Sequence, residues 1–112
     1  MILLCLDVDG TLDVSAGPVS TVQMETLALQ MDPGTRVQTY PVAVVSPSLA
    51  YKGKLPRYGS ADRGKNLRDA AAHWPTALVR IYVSGKQDMD TAWAEGYIFI
   101  LAADFAKGVV LP

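Results

Sequence analysis

Short apolar runs alternate with polar or amphipathic segments along the chain. The clearest run covers 2–6, has no polar member and leads directly into Asp7. Such a run, bounded by a turn signal, is typical of an interior strand of a parallel sheet. Similar runs predict three more strands, over 42–45, 78–83 and 97–101.

Helical segments separate these strands. Gly17-Pro18 marks a helix entry, Pro75 closes a second helix, and Gly96 stops a third. The expected helices cover 18–31, 61–73 and 88–95, followed by at most one turn over 104–107 and an edge strand or packed tail over 109–111. The alternation predicts a three-layer, Rossmann-like α/β fold with a mainly parallel sheet, and we expect residues 1–112 to form a single domain.

Composition indicates the cellular compartment of the protein but not its function. The only cysteine, Cys5, lies inside the first strand, so a disulfide framework is excluded and a reducing, cytoplasmic compartment is expected. No stretch has the length of a membrane span, and the apolar run at the start lacks the basic lead of a signal peptide. We therefore expect no membrane partner.

Charge is unevenly distributed although the formal net charge is only −1. Six of the ten basic residues fall in one segment that holds a single acid, Asp62: Lys52, Lys54, Arg57, Arg63, Lys65 and Arg68. Lys52, Lys54 and Arg57 are expected to steer a phosphorylated substrate rather than to touch the reacting group.

Two carboxylates, Asp7 and Asp9, follow the first strand. The carboxyl ends of strands are where open α/β sheets bind ligands, and two carboxylates so close together call for a cation between them. A calcium-binding loop of the helix–loop–helix kind is excluded. Such a loop needs Gly at its sixth position and Glu at its twelfth, where this chain has Leu12 and Pro18.

The run of apolar residues followed by Asp7-Val8-Asp9-Gly10-Thr11-Leu12 resembles the first motif of the haloacid dehalogenase (HAD) superfamily of phosphohydrolases. The resemblance implies that Asp7 attacks phosphorus to form an aspartyl-phosphate and that Asp9 acts as general acid and base. It also implies Mg²⁺, which offsets the charge of nucleophile and phosphate. It would place the strands ending at Ser46 and Val83 on either side of the first strand.

Other segments are similar to further motifs of that superfamily. Val44-Val45-Ser46 resembles the second, in which a hydroxyl holds the phosphoryl oxygens, and Thr11 of the first motif is assigned to phosphate binding as well. The third motif is a Lys or Arg near a helix start. Lys65 fits it best, with Arg63 a close alternative, because a helix start favours an anion.

The fourth motif departs from the superfamily pattern. The usual form has two acids, and counting back from Gly96 aligns the second with Asp88, while the first falls on Ser84, or on Gly85 if one residue has been deleted. Asp90 is the alternative to Asp88. One expected metal ligand is therefore missing. Since Mg²⁺ commonly needs only one or two carboxylates, Asp7, the main-chain carbonyl of Asp9 and Asp88 are the expected ligands.

The function implied by the resemblance is Mg²⁺-dependent hydrolysis of a phosphomonoester through Asp7. The span between Asp9 and the second strand holds one helix and leaves no room for a cap domain. An open site suits a large substrate, and the basic segment favours a nucleic-acid phosphate over a phosphoprotein. The alternatives are a non-enzymatic HAD-like domain that binds a phosphate ligand or a protein partner, and a phosphotransferase.

Overall fold

The structure, a computed structural model, describes residues 1–108; the tail predicted over 109–111 lies outside this range. The strands are β1 (Ile2–Leu6), β2 (Val42–Val44), β3 (Val79–Ser84) and β4 (Ile98–Leu101). The α-helices are α1 (Thr21–Ala28), α2 (Arg63–His73), α3 (Met89–Ala94) and α4 (Ala102–Ala106), and two 3₁₀ turns cover Asp13–Ser15 and Lys86–Asp88. The chain is thus an α/β protein, as its alternating pattern predicts.

All four strands are parallel and lie in the order β2-β1-β3-β4. The prediction that the strands ending near Ser46 and Val83 flank β1 is confirmed. Cys5 lies opposite Ala43 on one side and Tyr82 on the other. Because parallel strands end at the same edge, the segments that follow β1, β2 and β3 meet at the carboxyl edge of the sheet.

The sheet is covered on both faces, which makes the fold three-layered and Rossmann-like. Side chains alternate between the faces of a strand. Leu4 and Leu6 pack with Met24 of α1 and Ala102 of α4, whereas Leu3 and Cys5 point the other way. That second face packs against Leu67 and Ala70 of α2 and Ala92 of α3. The side of the sheet to which a strand residue points therefore determines which helices it packs against.

The first helix is shorter than the predicted span of 18–31. It begins at Thr21 because the side chain of Ser20 accepts a hydrogen bond from the Gln23 N–H, 3.2 Å away, as a helix N-cap does. Val22, in the first turn of the helix, is 69% exposed. Pro18 belongs instead to the turn before the helix.

The second helix begins at Arg63, two residues later than predicted. The Asp62 carboxylate caps it by accepting a hydrogen bond from the Lys65 N–H, 3.0 Å away. Arg63 thus becomes the first helical residue, on the turn nearest the sheet edge. The other differences are small: α3 begins at Met89 rather than at 88, and α4 covers Ala102–Ala106 rather than at most one turn over 104–107. Trp93 of α3 is 58% exposed.

No helix within residues 1–108 combines the length and the apolar character needed to cross a membrane.

Candidate active site

Asp7 is the residue that follows β1, and its side chain is held by hydrogen bonds from Arg63 and Ser84. The residue is only 4% exposed. Its backbone N–H donates to the Val83 carbonyl, 3.0 Å away, which ties the residue after β1 to β3. Side-chain alternation places Asp7 on the same face as Cys5, toward α2. Gly10 then turns the chain away with φ of 73°, a conformation that favours glycine.

Arg63 of α2 reaches this carboxylate. Its Nη1 donates to Asp7 Oδ1 at 2.8 Å and also to the Val45 carbonyl at the end of β2. Its Nε lies 3.9 Å from Asp88 Oδ2. Partial burial opposes the charged guanidinium, but the neighbouring Tyr82, Asp7 and Asp88 outweigh it and raise the pKa of Arg63. The guanidinium is therefore a fixed positive charge between two carboxylates.

Asp88 and Asp7 are also joined through Ser84. The Ser84 hydroxyl lies 2.6 Å from Asp88 Oδ2 and 3.2 Å from Asp7 Oδ2, so its single proton can serve one carboxylate at a time. The Tyr82 hydroxyl donates to Asp88 Oδ2 at 2.9 Å, and burial raises the pKa of this phenol. Ser84, the position that aligns with the missing acid, thus contacts both carboxylates as a neutral group.

Asp9 takes a different direction. It is exposed, and its Oδ1 accepts a hydrogen bond from the Ser48 hydroxyl at 2.8 Å. Ser46, at the end of β2, is buried, and its hydroxyl accepts from the Ser48 N–H at 3.1 Å. The turn after β2 therefore holds Ser46 and orients Asp9 through Ser48. Asp9 is therefore the exposed member of the pair, whereas Asp7 is buried.

Two of the predicted phosphate-binding residues, Thr11 and Lys65, make no side-chain hydrogen bond to Asp7 or Asp88 within the described residues. Lys65 pairs with Asp69 along the exposed side of α2, with 2.6 Å between Nζ and Oδ2. Thr11 is fully buried, and its hydroxyl has no hydrogen-bond partner within the described residues. Asp90 makes no ion pair within them either, whereas Asp88 faces the site. Of the two basic candidates, the structure brings Arg63 to Asp7.

The basic loop before α2, with Lys52, Lys54 and Arg57, makes no ion pair with Asp7 or Asp88 within the described residues. Arg57 donates to the main-chain carbonyls of Ser48 and Tyr51 and so fixes the loop itself. Lys52 and Lys54 line an apolar cavity of about 680 Å³ beside α1 and the start of β2.

Sequence reasoning missed Ser48 and Tyr82. Ser48 stands in Ser46-Pro47-Ser48, and its role follows from the turn that Pro47 begins. Tyr82 lies two residues before Ser84, and alternation along β3 puts the two side chains on one face. The alternation could have identified Tyr82 once Ser84 was placed in the site.

The donors suit a hard cation only in part. Within residues 1–108 there is no cluster of three or more His, Cys, Asp or Glu side chains that could hold a metal ion. Carboxylates from Asp7 and Asp88 nevertheless converge on one guanidinium and one hydroxyl. Carboxylate oxygens are the ligands Mg²⁺ prefers, and one or two of them suffice when phosphate oxygens complete the shell. Asp7 and Asp88 are therefore the two carboxylates that would hold such an ion, at the place that the Arg63 guanidinium occupies.

No protein-family model, curated protein or solved structure matches this chain.

Proposed function

We propose that the protein is a Mg²⁺-dependent phosphomonoester hydrolase of the HAD type, with Asp7 as the nucleophile. One observation carries the proposal. The Asp7 carboxylate follows β1, an interior strand, at the carboxyl edge of the parallel sheet. It is almost fully buried, and it accepts a hydrogen bond of 2.8 Å from Arg63. A carboxylate held beside a fixed positive charge can approach an anionic phosphate that it would otherwise repel.

Asp7 and Asp9 supply the nucleophile and the general acid and base for this chemistry. Asp7 donates an electron pair to phosphorus, forming an aspartyl oxygen–phosphorus bond as the ester phosphorus–oxygen bond breaks. Asp9, in its protonated form, gives its proton to the leaving oxygen. Asp9 then takes a proton from the water that attacks the aspartyl-phosphate, which releases phosphate and restores Asp7.

The surrounding hydrogen bonds orient both acids. Arg63 binds Oδ1 of Asp7 at 2.8 Å and Ser84 contacts Oδ2 at 3.2 Å, so the more weakly held Oδ2 is the better attacking atom. Ser48 holds Oδ1 of Asp9, which leaves Oδ2 of Asp9 to carry the proton. Asp7, the main-chain carbonyl of Asp9 and Asp88 would hold Mg²⁺, which when bound supplies charge neutralisation for nucleophile and phosphate.

The proposed substrate is large. Asp9 is exposed and Ser48 only half-buried, so the side of the site from which a leaving group departs is open to solvent. Between β1 and β2 the only α-helix is α1, which packs on the sheet through Met24. An uncapped site of this kind accommodates a nucleic-acid phosphate or a phosphoprotein.

Phosphate release from para-nitrophenyl phosphate, followed with Mg²⁺ and with a chelator, tests the proposal. Asp9→Asn should slow an alkyl phosphate by roughly 10²- to 10⁴-fold, the usual contribution of a positioned acid. The nitrophenyl ester should lose much less, because its leaving group needs no proton. Equal losses on both substrates would remove Asp9 from the role of acid.

A second candidate function rests on Ser84. Where the resemblance expects an acid, a neutral hydroxyl contacts both Asp7 and Asp88. A site weakened in this way could bind a phosphate-bearing ligand without turning it over. Binding of inorganic phosphate with no Mg²⁺-dependent release from any ester would favour this non-enzymatic function.

A further inference from the structure

Arg63 occupies the position between Asp7 and Asp88 that a cation would share. Its Nη1 bonds Asp7 and its Nε faces Asp88, so one guanidinium already compensates both carboxylates. We propose that Arg63 makes the binding of a divalent cation and of a phosphate group interdependent, so that each is bound weakly alone and tightly together. The inference rests on the proposed function, because it concerns the same site.

Charge explains why each ligand alone should bind weakly. Asp7 and Asp88 place two carboxylates beside the single guanidinium of Arg63. A lone phosphate dianion would add repulsion with both. A lone divalent cation would meet the positive guanidinium at the carboxylates that it needs. Bound together, the dianion draws the charge of Arg63 and the cation takes up the carboxylates, so both conflicts are relieved.

The anchoring of Arg63 allows this exchange of partners. Its side chain is 26% exposed, so the guanidinium is reachable from solvent. It is fixed on the sheet side by the Val45 carbonyl, a neutral acceptor that remains when Asp7 changes partner. Within the described residues, its Nη2 has no partner. That free nitrogen can bind a phosphate oxygen, because the planar fork of Arg suits phosphate.

Calorimetry measures the coupling directly. MgCl₂ is titrated into the whole chain without and then with saturating inorganic phosphate, and phosphate is titrated without and with MgCl₂, each corrected by a protein-free titration. We expect each ligand to tighten the other by the same factor, roughly 5- to 150-fold, since equilibrium coupling between two ligands is reciprocal. Equal Mg²⁺ affinity with and without phosphate would overturn the inference.

Two variants locate the coupling in Arg63. Arg63→Met removes the competing charge, so Mg²⁺ alone should bind more tightly than to the parent and phosphate alone more weakly. The coupling factor should fall below that of the parent, to the part that direct contact between the ion and the phosphate oxygens supplies. Arg68→Met is the matched control: it is on the same helix, but it pairs with Glu95 away from the site, so it should behave as the parent. Circular dichroism checks that both variants fold, and Arg63→Gln, which also removes the charge but keeps N–H donors, replaces Arg63→Met if that variant does not fold.

The outcomes separate this inference from the proposed function. Mg²⁺ and phosphate that bind independently, with normal ester hydrolysis, would refute the coupling and leave the hydrolase proposal standing. A coupling factor that is unchanged in Arg63→Met would likewise refute the role of Arg63. A chain that binds neither ligand in any combination and hydrolyses no ester would refute both.

Discussion

Replacing Ser84 with Asp would test the electrostatics of the site most severely. The substitution restores an acid at the position where the resemblance expects one. Ser84 is fully buried, and its hydroxyl lies 2.6 Å from the Asp88 carboxylate and 3.2 Å from that of Asp7. A carboxylate introduced there would face two others, with only Arg63 to compensate all three.

The size of the effect follows from these distances. Two unit charges about 4 Å apart at an effective dielectric constant of about 20 interact by about 4 kcal/mol, so repulsion from Asp7 and Asp88 together would exceed the attraction to Arg63. Protonation limits the damage. Keeping a carboxyl group of usual pKa about 3.9 neutral at pH 7 costs about 4 kcal/mol. We therefore expect Ser84→Asp to lower the free energy of unfolding by about 2–4 kcal/mol at neutral pH.

Urea unfolding with and without Mg²⁺ measures this loss. Ser84→Asn is the control because it has nearly the same shape without the charge. The introduced carboxyl should have a raised pKa in the folded state, so the penalty should be absent below about pH 4 and should grow as the pH rises toward that raised value. Millimolar Mg²⁺ should restore the stability of the Asp variant only. Equal stability of the two variants without Mg²⁺ would refute the reasoning.

Three further predictions concern single residues. Asp7→Asn should abolish phosphate release while near-ultraviolet circular dichroism stays that of the parent, because the amide keeps the shape but cannot attack phosphorus; turnover within tenfold of the parent would contradict the nucleophile assignment. Arg63→Ala should weaken inorganic phosphate binding in the presence of Mg²⁺ far more than Lys65→Ala, since only Arg63 contacts Asp7, and equal affinities by calorimetry would contradict this. Hydrogen bonds from the Thr21 side chain and backbone lower the pKa of Asp13, so the stabilisation is present above about pH 4 and is lost as the pH falls through the lowered value. Urea midpoints of Thr21→Val should fall less steeply in acid than those of the parent, and parallel curves would disprove the link.

The sequence predicted those parts of the fold that depend on a local pattern of residues. The unbroken apolar run before Asp7 requires a buried strand, and the alternation of elements requires a parallel sheet. The neighbours of β1 followed from the resemblance and are confirmed. The roles of Asp7, Asp9 and Ser46 remain predictions, although the structure brings their segments to one edge.

The choice between Lys65 and Arg63 depends on the direction in which each side chain leaves the helix. Asp62 caps α2 and makes Arg63 its first helical residue. Arg63 and Lys65 are two residues apart and so lie about 200° apart around the helix axis, which places them on opposite faces. Caps are local hydrogen bonds between side chain and backbone, so the Asp62 signal was present in the sequence, although hydrophobic periodicity alone does not reveal it.

The contacts around Ser84 could not be predicted in the same way. That Ser84 lies beside Asp7 depends on the pairing of Cys5 with Tyr82, and register is a property of two strands at once. The exposure of Trp93 is similar. Aromatic residues are usually buried, but α3 has only six residues and already buries Ala92.

The strand order has a consequence for how the chain acquires its site. β1 lies between β2 and β3, both of which follow it in the chain, and Ser84 and Asp7 are 77 residues apart. During synthesis, β1 must therefore wait for both neighbours before its apolar side chains are covered. Parallel pairing over such separations is slow, because the entropy cost of closing a long loop comes before the stabilising contacts form. A ribosome-bound chain that ends before β3 would expose an aggregation-prone strand and present Asp7 without its support.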